Sequence, residues 1–339
     1  MINAMQHIGQ GVRDVDTTYA FYKRFFGFKV KLNDLTVASK EMAAVIGSVE
    51  TMRMMMAANA KGGGIIELIE HKSKPITPLP ELYGNYGVLE VGYRVRSIDR
   101  VVADFQAKGL RFLTPVCELA LNDGRRWRYA YLKDPDGLPL QLTEELGPGS
   151  PAAARPEVHG AVHVGIGVSD IDRSKEFYRS ALGFDRVLHE SDGFIPEMDP
   201  LTGGPVRMKM AILERSAPPV GPLAGLLVRG TLKLFQVQGG KGKHIYDGRV
   251  WGEPGCMEFC FDVSDLLTTV ETMKKKGIKI YLQPVEISMG SGSKGFAAYI
   301  QDPDGTTVEF VEVMSIAWMS AASFMRLAMP VLRLYDRIA

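Results

Sequence analysis

The chain of 339 residues is too long for one ordinary hydrophobic core and suits two cores of about 150 residues each. Its 46% hydrophobic and 23% charged residues exclude a disordered or fibrous protein. Forty Lys and Arg residues against 39 Asp and Glu residues give a net charge of +1, so no long-range attraction to nucleic acid or to a membrane surface is expected.

The N-terminal segment and the cysteines predict a cytoplasmic protein. Residues 1–9 lack a basic region followed by an apolar run, and no stretch approaches the roughly 18 uninterrupted apolar residues of a membrane-spanning helix. Cys117, Cys256 and Cys260 are an odd number in a long chain, which indicates reduced thiols rather than a disulfide framework. We therefore expect no membrane span and no nucleic-acid partner.

The chain opens with an order of elements that returns further along. An alternating segment around His7 predicts a β-strand, and Asp14 then stands as the N-cap of an apolar-periodic stretch that predicts a helix. In the second half, Asp170 caps the similar stretch 171–182, which a glycine follows as C-cap. The predicted unit is a strand, a helix and then several strands.

Two copies of one domain follow each other along the chain. Segment 7–14 matches segment 163–170 at an offset of 163 − 7 = 156 residues. An Asp-Pro-Asp-Gly turn lies near the end of each copy, at residues 134–137 and 302–305, with an offset of 302 − 134 = 168. The second copy therefore carries 168 − 156 = 12 more residues in its middle, as loops allow.

Each copy is itself doubled. Segment 90–99 lines up with segment 7–16, and segment 258–265 lines up with the segment that begins at His163. Four modules with the order βαβββ result, so we expect an α+β fold. The predicted parts are an N-terminal domain over residues 1–146, a Gly- and Pro-rich linker over 147–157, a C-terminal domain over 158–313 and a helical extension over 314–339.

In every module, one polar side chain interrupts each of two apolar strands. The opening strands carry His7, Glu90, His163 and Glu258 at equivalent positions. The closing strands carry Glu67, Gln141, Lys233 and Glu309. Each of these groups binds metals or pairs with groups that do, and burying the carboxylates without a cation would be costly. The eight positions therefore predict at least one metal site.

The doubled βαβββ unit, the helix that ends in Leu-Gly-Phe and the closing Asp-Pro-Asp-Gly-x-x-x-Glu resemble the vicinal oxygen chelate superfamily. This superfamily includes glyoxalase I, methylmalonyl-CoA epimerase, extradiol dioxygenases and bleomycin or fosfomycin resistance proteins. The resemblance covers residues 5–145 and 160–313. It implies two tandem glyoxalase-like domains, in which paired modules close a sheet into a cup and the polar positions converge on a divalent metal.

Carried over to this sequence, the resemblance implies one ligand set in each half. The N-terminal set is His7, Glu67, Glu90 and Gln141. The C-terminal set is His163, Glu258 and Glu309, with Lys233 in the fourth place. Such nitrogen and oxygen ligands suit Mn²⁺, Fe²⁺, Co²⁺, Ni²⁺ or Zn²⁺. The first set is complete, but three ligands leave room for a substrate, and we expect the C-terminal half to be active.

Lys233, His244 and Tyr299 are the candidate catalytic residues. Lys233 is either a catalytic acid or base or an ion-pair partner of Glu258. Tyr299 stands ten residues before Glu309, and in extradiol dioxygenases a tyrosine at that spacing contacts the substrate. The resemblance to those enzymes also places a histidine near His244, whereas Glu258 stands where they have a second histidine ligand. Alternatively, Tyr299 is an ordinary strand aromatic.

Four further features have two interpretations each. The strands 52–56 and 206–210 carry methionines that either line an apolar pocket or fill the core. The cluster 125–128 either holds a substrate anion or lies in a solvated hairpin. Cys260 either approaches the metal or is a small buried residue. Residues 315–338 predict a helix that packs on its own domain, or instead forms a homodimer contact or lies on a membrane surface.

The leading functional hypothesis is a metal-dependent lyase or isomerase of the glyoxalase and epimerase kind. The metal would chelate neighbouring oxygens of a small, partly apolar substrate and stabilise an enediolate, while Glu258 or Glu309 moves a proton. The first alternative is an Fe²⁺ extradiol dioxygenase assisted by His244 and Tyr299. The second is a metal-free sequestering or resistance protein, which pairing of Lys233 with carboxylates would favour.

Overall fold

The computed structural model of the chain describes residues 1–38, 51–72, 76–147, 156–239, 242–290 and 292–338, with side chains through residue 332. Most of the predicted linker, residues 148–155, therefore lies outside the described residues. In the described residues, 17 strands form one mixed sheet. The predicted α+β class is confirmed.

The strands and helices follow the predicted modular order. The strands are β1 (Ile2–Gly11), β2 (Val30–Val37), β3 (Met52–Ala58), β4 (Ile65–His71), β5 (Gly87–Arg96), β6 (Cys117–Ala120), β7 (Arg126–Lys133), β8 (Pro139–Leu146), β9 (Glu157–Gly167), β10 (Arg186–Phe194), β11 (Arg207–Glu214), β12 (Thr231–Val237), β13 (Gly255–Val263), β14 (Ile280–Gly290), β15 (Ser293–Gln301), β16 (Thr307–Ile316) and β17 (Met319–Ser320). The helices are α1 (Val15–Phe25), α2 (Ile98–Ala107), α3 (Ile171–Leu182), α4 (Asp199–Thr202), α5 (Leu266–Lys275) and α6 (Ala321–Ile338).

The outer modules of the chain pair with each other, and so do the inner modules. Strand β1 pairs antiparallel with β13, and the strand order β2-β3-β4-β1-β13-β16-β15-β14 forms what we call the terminal cup. Strand β5 pairs antiparallel with β9, and the order β6-β7-β8-β5-β9-β12-β11-β10 forms the central cup. Each cup therefore takes one module from each half of the sequence repeat.

Helices α1 and α3 begin at the predicted N-caps. The Asp14 carboxylate accepts a hydrogen bond from the backbone N–H of Thr17 at 2.7 Å. The Asp170 carboxylate accepts one from the N–H of Arg173 at 3.0 Å. These bonds satisfy backbone donors that have no partner within the first helical turn. At the other end of α3, Gly183 has φ 75°, a left-handed conformation that favours glycine as C-cap.

The two Asp-Pro-Asp-Gly turns join modules of the same half. Asp136 in the first turn accepts a hydrogen bond from the hydroxyl of Thr18 in α1 at 2.8 Å. Asp302 in the second turn accepts one from the hydroxyl of Tyr178 in α3 at 2.8 Å. Strand pairing thus links modules of different halves, while the turns link modules within a half. Together these contacts hold the two cups against each other.

The C-terminal helix begins later than the sequence predicts. Strand β16 continues to Ile316, and a hairpin through Ala317 and Trp318, with φ 47° and 64°, leads into β17 before α6 starts at Ala321. The predicted start at residue 315 is therefore wrong, because residues 315–320 extend the strand ladder instead.

One predicted alternative has helix α6 pack on its own domain, and in the structure the helix contacts residues of both predicted domains. Met325 is buried in an apolar cluster that includes Leu223 and Ala58. A homodimer contact through this helix stays a prediction. Within the described ranges, no helix is long and apolar enough to span a membrane.

Candidate metal centre

Two adjacent rows of residues across the central strands form the floor of the terminal cup. In the first row, Gly9 of β1 lies between Glu67 of β4 and Glu258 of β13. A Cβ atom on residue 9 would lie 2.7 Å from Cγ of Glu258. Glycine at this position therefore leaves the room in which the Glu258 side chain crosses β1.

The second row holds His7, Cys260 and Glu309. His7 of β1 stands opposite Cys260 of β13, and Cys260 stands beside Glu309 of β16. Nε2 of His7 lies 2.9 Å from Oε2 of Glu309 and 3.5 Å from Oε2 of Glu67. The thiol of Cys260 lies within 4.8 Å of ligand atoms of His7 and Glu309, so it approaches the centre as one interpretation predicts.

Neighbouring side chains hold these groups in place. Nδ1 of His7 lies 2.9 Å from Oε1 of Gln6, which fixes the plane of the imidazole ring. The hydroxyl of Tyr299 donates a hydrogen bond to Oε1 of Glu309 at 2.7 Å. The predicted position of Tyr299 beside the candidate ligands agrees with the structure, and its role stays a prediction.

The cluster is buried and contains more negative than positive charge. The exposed fractions are 3% for His7, 6% for Glu67, 1% for Glu258 and 6% for Glu309. His7, Glu67 and Glu258 offer ligand atoms that lie within 4.8 Å of one another. In the described part of the chain, Oε2 of Glu258 has no hydrogen-bond partner. Three buried carboxylates around one imidazole are costly without a cation, so these residues fit a divalent metal ion.

The pKa values reflect this crowding of carboxylates. Burial, and after it the charges of Glu309 and Glu67, raise the pKa of Glu258 well above its usual range. Burial also raises the pKa of Glu67 to about 7. Burial alone would raise the pKa of Glu309, but the hydrogen bond and charge of His7 outweigh it and hold that pKa below its usual value. A bound cation would favour the ionised form of all three.

A cavity of about 420 Å³ opens above the cluster. Met54 and Met56 of β3 line it, in agreement with the pocket interpretation of this strand. Met208 and Met210 of β11 are instead buried in the core, so the core interpretation holds for that strand. Sequence reasoning missed Trp251, which also lines the cavity and lies in a segment without strand or helix periodicity.

In the central cup, the ammonium group of Lys233 occupies the middle of the equivalent space. Its Nζ donates hydrogen bonds to the hydroxyl of Tyr131 at 2.6 Å, to Oε1 of Gln141 at 2.8 Å and to Oε1 of Glu90 at 3.3 Å. Lys233 is only 3% exposed. The predicted pairing of Lys233 with Glu258 is therefore wrong, because β12 lies in the central cup together with the strand of Glu90.

Charge is balanced in the central cup by side chains alone. Burial would raise the pKa of Glu90, but the charges of Lys233 and His163 and the hydrogen bonds to this carboxylate lower it to about 2. Burial lowers the pKa of Lys233 against the opposing effect of Glu90. The ring of His163 stacks on Trp127, with 5.4 Å between centroids and 17° between planes. An internal cation thus takes the place that a metal would need.

The predicted ligand sets are wrong in their grouping, although the eight positions converge as two clusters. The terminal cup brings together His7, Glu67, Glu258 and Glu309. The central cup brings together His163, Glu90, Gln141 and Lys233. The reason is that β1 pairs with β13 and β5 with β9, so ligands from different halves meet. The expectation of one active half is replaced by a choice between two mixed cups.

His244 lies away from the cavity of the terminal cup. Its Nδ1 accepts a hydrogen bond from the N–H of Tyr246 at 3.3 Å, and the imidazole ring faces Gly87 and Gly305. Burial lowers the pKa of His244. The predicted catalytic position of His244 beside the metal ligands is therefore wrong, because the segment that carries it pairs at this point with Tyr86, just before β5.

Two arginines of the 125–128 cluster form ion pairs with carboxylates of the protein itself. Arg125 forms ion pairs with Glu145 at 2.9 Å and Glu214 at 3.1 Å. Arg128 forms one with Asp99 at 2.8 Å. Of the two interpretations of this cluster, the structure favours a hairpin held by ion pairs over a substrate-binding patch.

Comparisons with known proteins define the family. Two family models, both described as the Glyoxalase/Bleomycin resistance protein/Dioxygenase superfamily, match residues 6–131 and 160–310. The chain belongs to this superfamily, which confirms the resemblance seen in the sequence. No curated protein matches the chain.

Solved structures show the same fold at low sequence identity. Glyoxalase I from Zea mays is 18% identical, with a TM-score of 0.57, and the match covers 91% of this chain and 92% of that one. A putative dioxygenase from Bacillus subtilis is 12% identical, with a TM-score of 0.58, and the match covers 96% of this chain and 90% of that one. At these identities the likeness concerns the fold alone.

Proposed function

We propose that this protein is a divalent-metal-dependent lyase or isomerase whose active site is the terminal cup. The metal ligands in this proposal are His7, Glu67, Glu258 and Glu309. One observation carries it: Oε2 of Glu258 is buried without a hydrogen-bond partner in the described structure, among two further carboxylates and at the base of an open cavity. The imidazole and carboxylate donors suit Mn²⁺, Fe²⁺, Co²⁺, Ni²⁺ or Zn²⁺.

The side chains of this cup have the chemistry for proton transfer next to a carbonyl group. A bound divalent ion would supply positive charge to two neighbouring substrate oxygens. Glu258 is the candidate base, because its Oε2 lies at the cavity without a hydrogen-bond partner among the described residues and can therefore take a proton from the substrate and return it. Tyr299 orients Glu309 through its hydrogen bond, and the apolar wall keeps bulk water from the reacting atoms.

The two alternatives have less support. An extradiol dioxygenase would gain from Tyr299, which lines the cavity, but Glu258 stands in place of a second histidine and His244 lies elsewhere. A metal-free sequestering protein would gain from Lys233, which pairs with a carboxylate in the central cup. Among the described residues that line the terminal cavity there is no lysine to take the same part.

Proton exchange tests the proposed reaction class. The protein is loaded in turn with Zn²⁺, Ni²⁺, Co²⁺ and Mn²⁺ and given 2-hydroxyacetophenone, an α-hydroxyketone, in D₂O. We expect the carbon-bound protons beside the hydroxyl group to exchange for deuterium, as followed by NMR. Glu258→Gln should slow this exchange by about 100-fold or more, because it removes the candidate base and weakens one metal ligand.

Glu312→Gln is the matched control for this experiment. Glu312 lies on β16 like Glu309, but it does not line the cavity and accepts two backbone hydrogen bonds at the start of α5, of which the amide oxygen of glutamine can keep one. Its exchange rate should stay within about a factor of two of wild type. Absence of exchange with every metal would contradict the proposal. Oxygen uptake by the Fe²⁺-loaded protein with a catechol would favour the dioxygenase instead.

A further inference from the structure

The wall of the terminal cavity differs in character from its floor. The wall is formed largely by apolar side chains, among them Met54, Met56, Trp251, Val285 and Ile287. The floor carries the carboxylates of Glu67, Glu258 and Glu309. Among the described residues that line this cavity, none is a lysine or an arginine. The cavity is therefore an apolar chamber above an acidic base.

A metal ion does not reverse the sign of the charge at the base. With three ionised carboxylates and one divalent cation, the charge of the floor is 2 − 3 = −1. At the mouth, the carboxylate of Glu286 also lines the cavity, and the ammonium group of Lys294, 3.4 Å away, balances its charge at an exposed position. An anionic substrate would be repelled by the floor and would lose hydration without gaining an ion pair from the wall.

Asn33, one of the neutral polar residues that line the cavity, already forms hydrogen bonds within the protein. Oδ1 of Asn33 accepts a hydrogen bond from the backbone N–H of Met56 at 2.9 Å, and its Nδ2 donates to the carbonyl oxygen of Met289 at 3.4 Å. These bonds tie β2 to β3 and to β14 across the opening. Asn33 therefore holds the mouth together and offers little to an acidic group of a ligand.

The wall suits an apolar body instead. Thioether side chains are flexible and polarisable, so Met54 and Met56 can adapt to aliphatic or aromatic groups. The indole of Trp251 packs edge-to-face on the ring of Tyr299, with 6.4 Å between centroids and 81° between planes. The volume of about 420 Å³ falls in the usual range of small-molecule sites, about 300 to 1,000 Å³.

From these observations we propose that the substrate is an uncharged molecule with an apolar body and two adjacent oxygens at one end. Compounds with a carboxylate or phosphate on the body are excluded. The inference rests on the proposed function, because the two oxygens are assigned to the metal centre. It goes beyond that function by assigning selectivity to the cavity wall, whose described residues include no lysine or arginine.

A matched pair of chelating probes tests the inference without turnover. The pair is 4-propylcatechol and 3-(3,4-dihydroxyphenyl)propanoate, which carry a methyl group and a carboxylate at the end of equal chains. Calorimetry with the Zn²⁺-loaded full chain, under anaerobic conditions, gives both dissociation constants. We expect the neutral probe to bind at least about tenfold more tightly than the acid.

A charge placed in the wall should reverse this selectivity. Met54 is partly exposed on β3, so Met54→Lys can place an ammonium group at the cavity surface. This variant should bind the acid at least as tightly as the neutral probe. Met54→Gln is the matched control, since it is polar but uncharged, and it should keep the preference for the neutral probe.

The outcomes separate the two proposals. A wild-type protein that takes up Zn²⁺ but binds the acid as tightly as the neutral probe, or binds neither, overturns the substrate inference and leaves the metal centre standing. A protein that takes up no Zn²⁺ overturns the proposed function and this inference together. Unchanged selectivity in Met54→Lys also contradicts the role assigned to the wall.

Discussion

The terminal and central cups keep the same histidine and the same glutamate in equivalent rows. His7 and Glu258 of the terminal cup correspond to His163 and Glu90 of the central cup, and a glycine faces each glutamate. A Cβ atom added to Gly165 would lie 2.2 Å from Cγ of Glu90, and one added to Gly9 would lie 2.7 Å from Cγ of Glu258. Both positions therefore require glycine. Both cups therefore share the histidine, the glutamate and the facing glycine of a possible cation site.

The cups differ in what supplies the positive charge. Glu67 of the terminal cup lies beside Gly9, and Lys233 of the central cup lies beside the equivalent Gly165. Where one cup has a third carboxylate, the other has an ammonium group that hydrogen-bonds to Glu90. Exchanges at two positions, Lys233 for Glu67 and the neutral Gln141 for Glu309, thus decide whether a cup needs an external cation.

The cups also differ in free space. Ala297 and Gly295 of β15 correspond in register to Tyr129 and Trp127 of β7. In the central cup these aromatic side chains are buried, whereas Ala297 borders the open cavity. Filling of the floor by aromatic side chains and neutralisation of its charge therefore occur together in the cup that we expect to be inactive.

Removing the ammonium group of Lys233 from the central cup should have the largest effect, a loss of stability. Lys233→Met leaves Glu90 buried without its main positive partner, and we expect the free energy of unfolding to fall by about 3 to 5 kcal/mol. Denaturant titration measures the change. Lys209→Met on the neighbouring strand β11 is the control and should change stability by less than about 0.5 kcal/mol. Equal stability of the Lys233 variant and wild type would show that the ammonium group does not hold this cup.

Filling the cavity of the terminal cup with an aromatic side chain should weaken ligand binding there without changing metal binding. Ala297→Tyr introduces at the cavity the side chain that position 129 carries in the central cup. We expect binding of 4-propylcatechol to weaken by about tenfold or more while metal content stays the same. Ala297→Ser is the size-matched control and should bind the probe almost as wild type does. Undiminished binding by Ala297→Tyr would mean that the cavity is not the binding site.

Much of the fold follows from local patterns in the sequence. The polar residue within each apolar strand, the caps Asp14 and Asp170 and the repeated Asp-Pro-Asp-Gly turn are local features, so alternation and periodicity predict them. The members of both clusters could therefore be named in advance. The methionines of β3 and β11 could be named as candidates for the cavity wall. Which of them line the cavity and which lie in the core depends on neighbours far away in sequence.

The pairing of modules could not be predicted, because the strands are too much alike. Gly9 and Gly165 are equivalent, and so are Glu90 and Glu258, so a glycine facing a glutamate fits either arrangement. Only packing across the whole chain selects among them. His244 illustrates the same limit, since it lies in a long connection whose path no strand or helix period determines.

The zinc content of two matched histidine variants tests whether the terminal cup is the metal centre. Wild type, His7→Ala and His163→Ala are purified, checked for folding by circular dichroism, equilibrated with Zn²⁺, desalted and analysed for zinc. We expect one zinc ion per chain in wild type and in His163→Ala, and at least about tenfold less zinc in His7→Ala, because the central cup holds the ammonium group of Lys233 in place of a metal and the terminal cup does not. Zinc retained by His7→Ala, or lost from His163→Ala, would contradict this expectation.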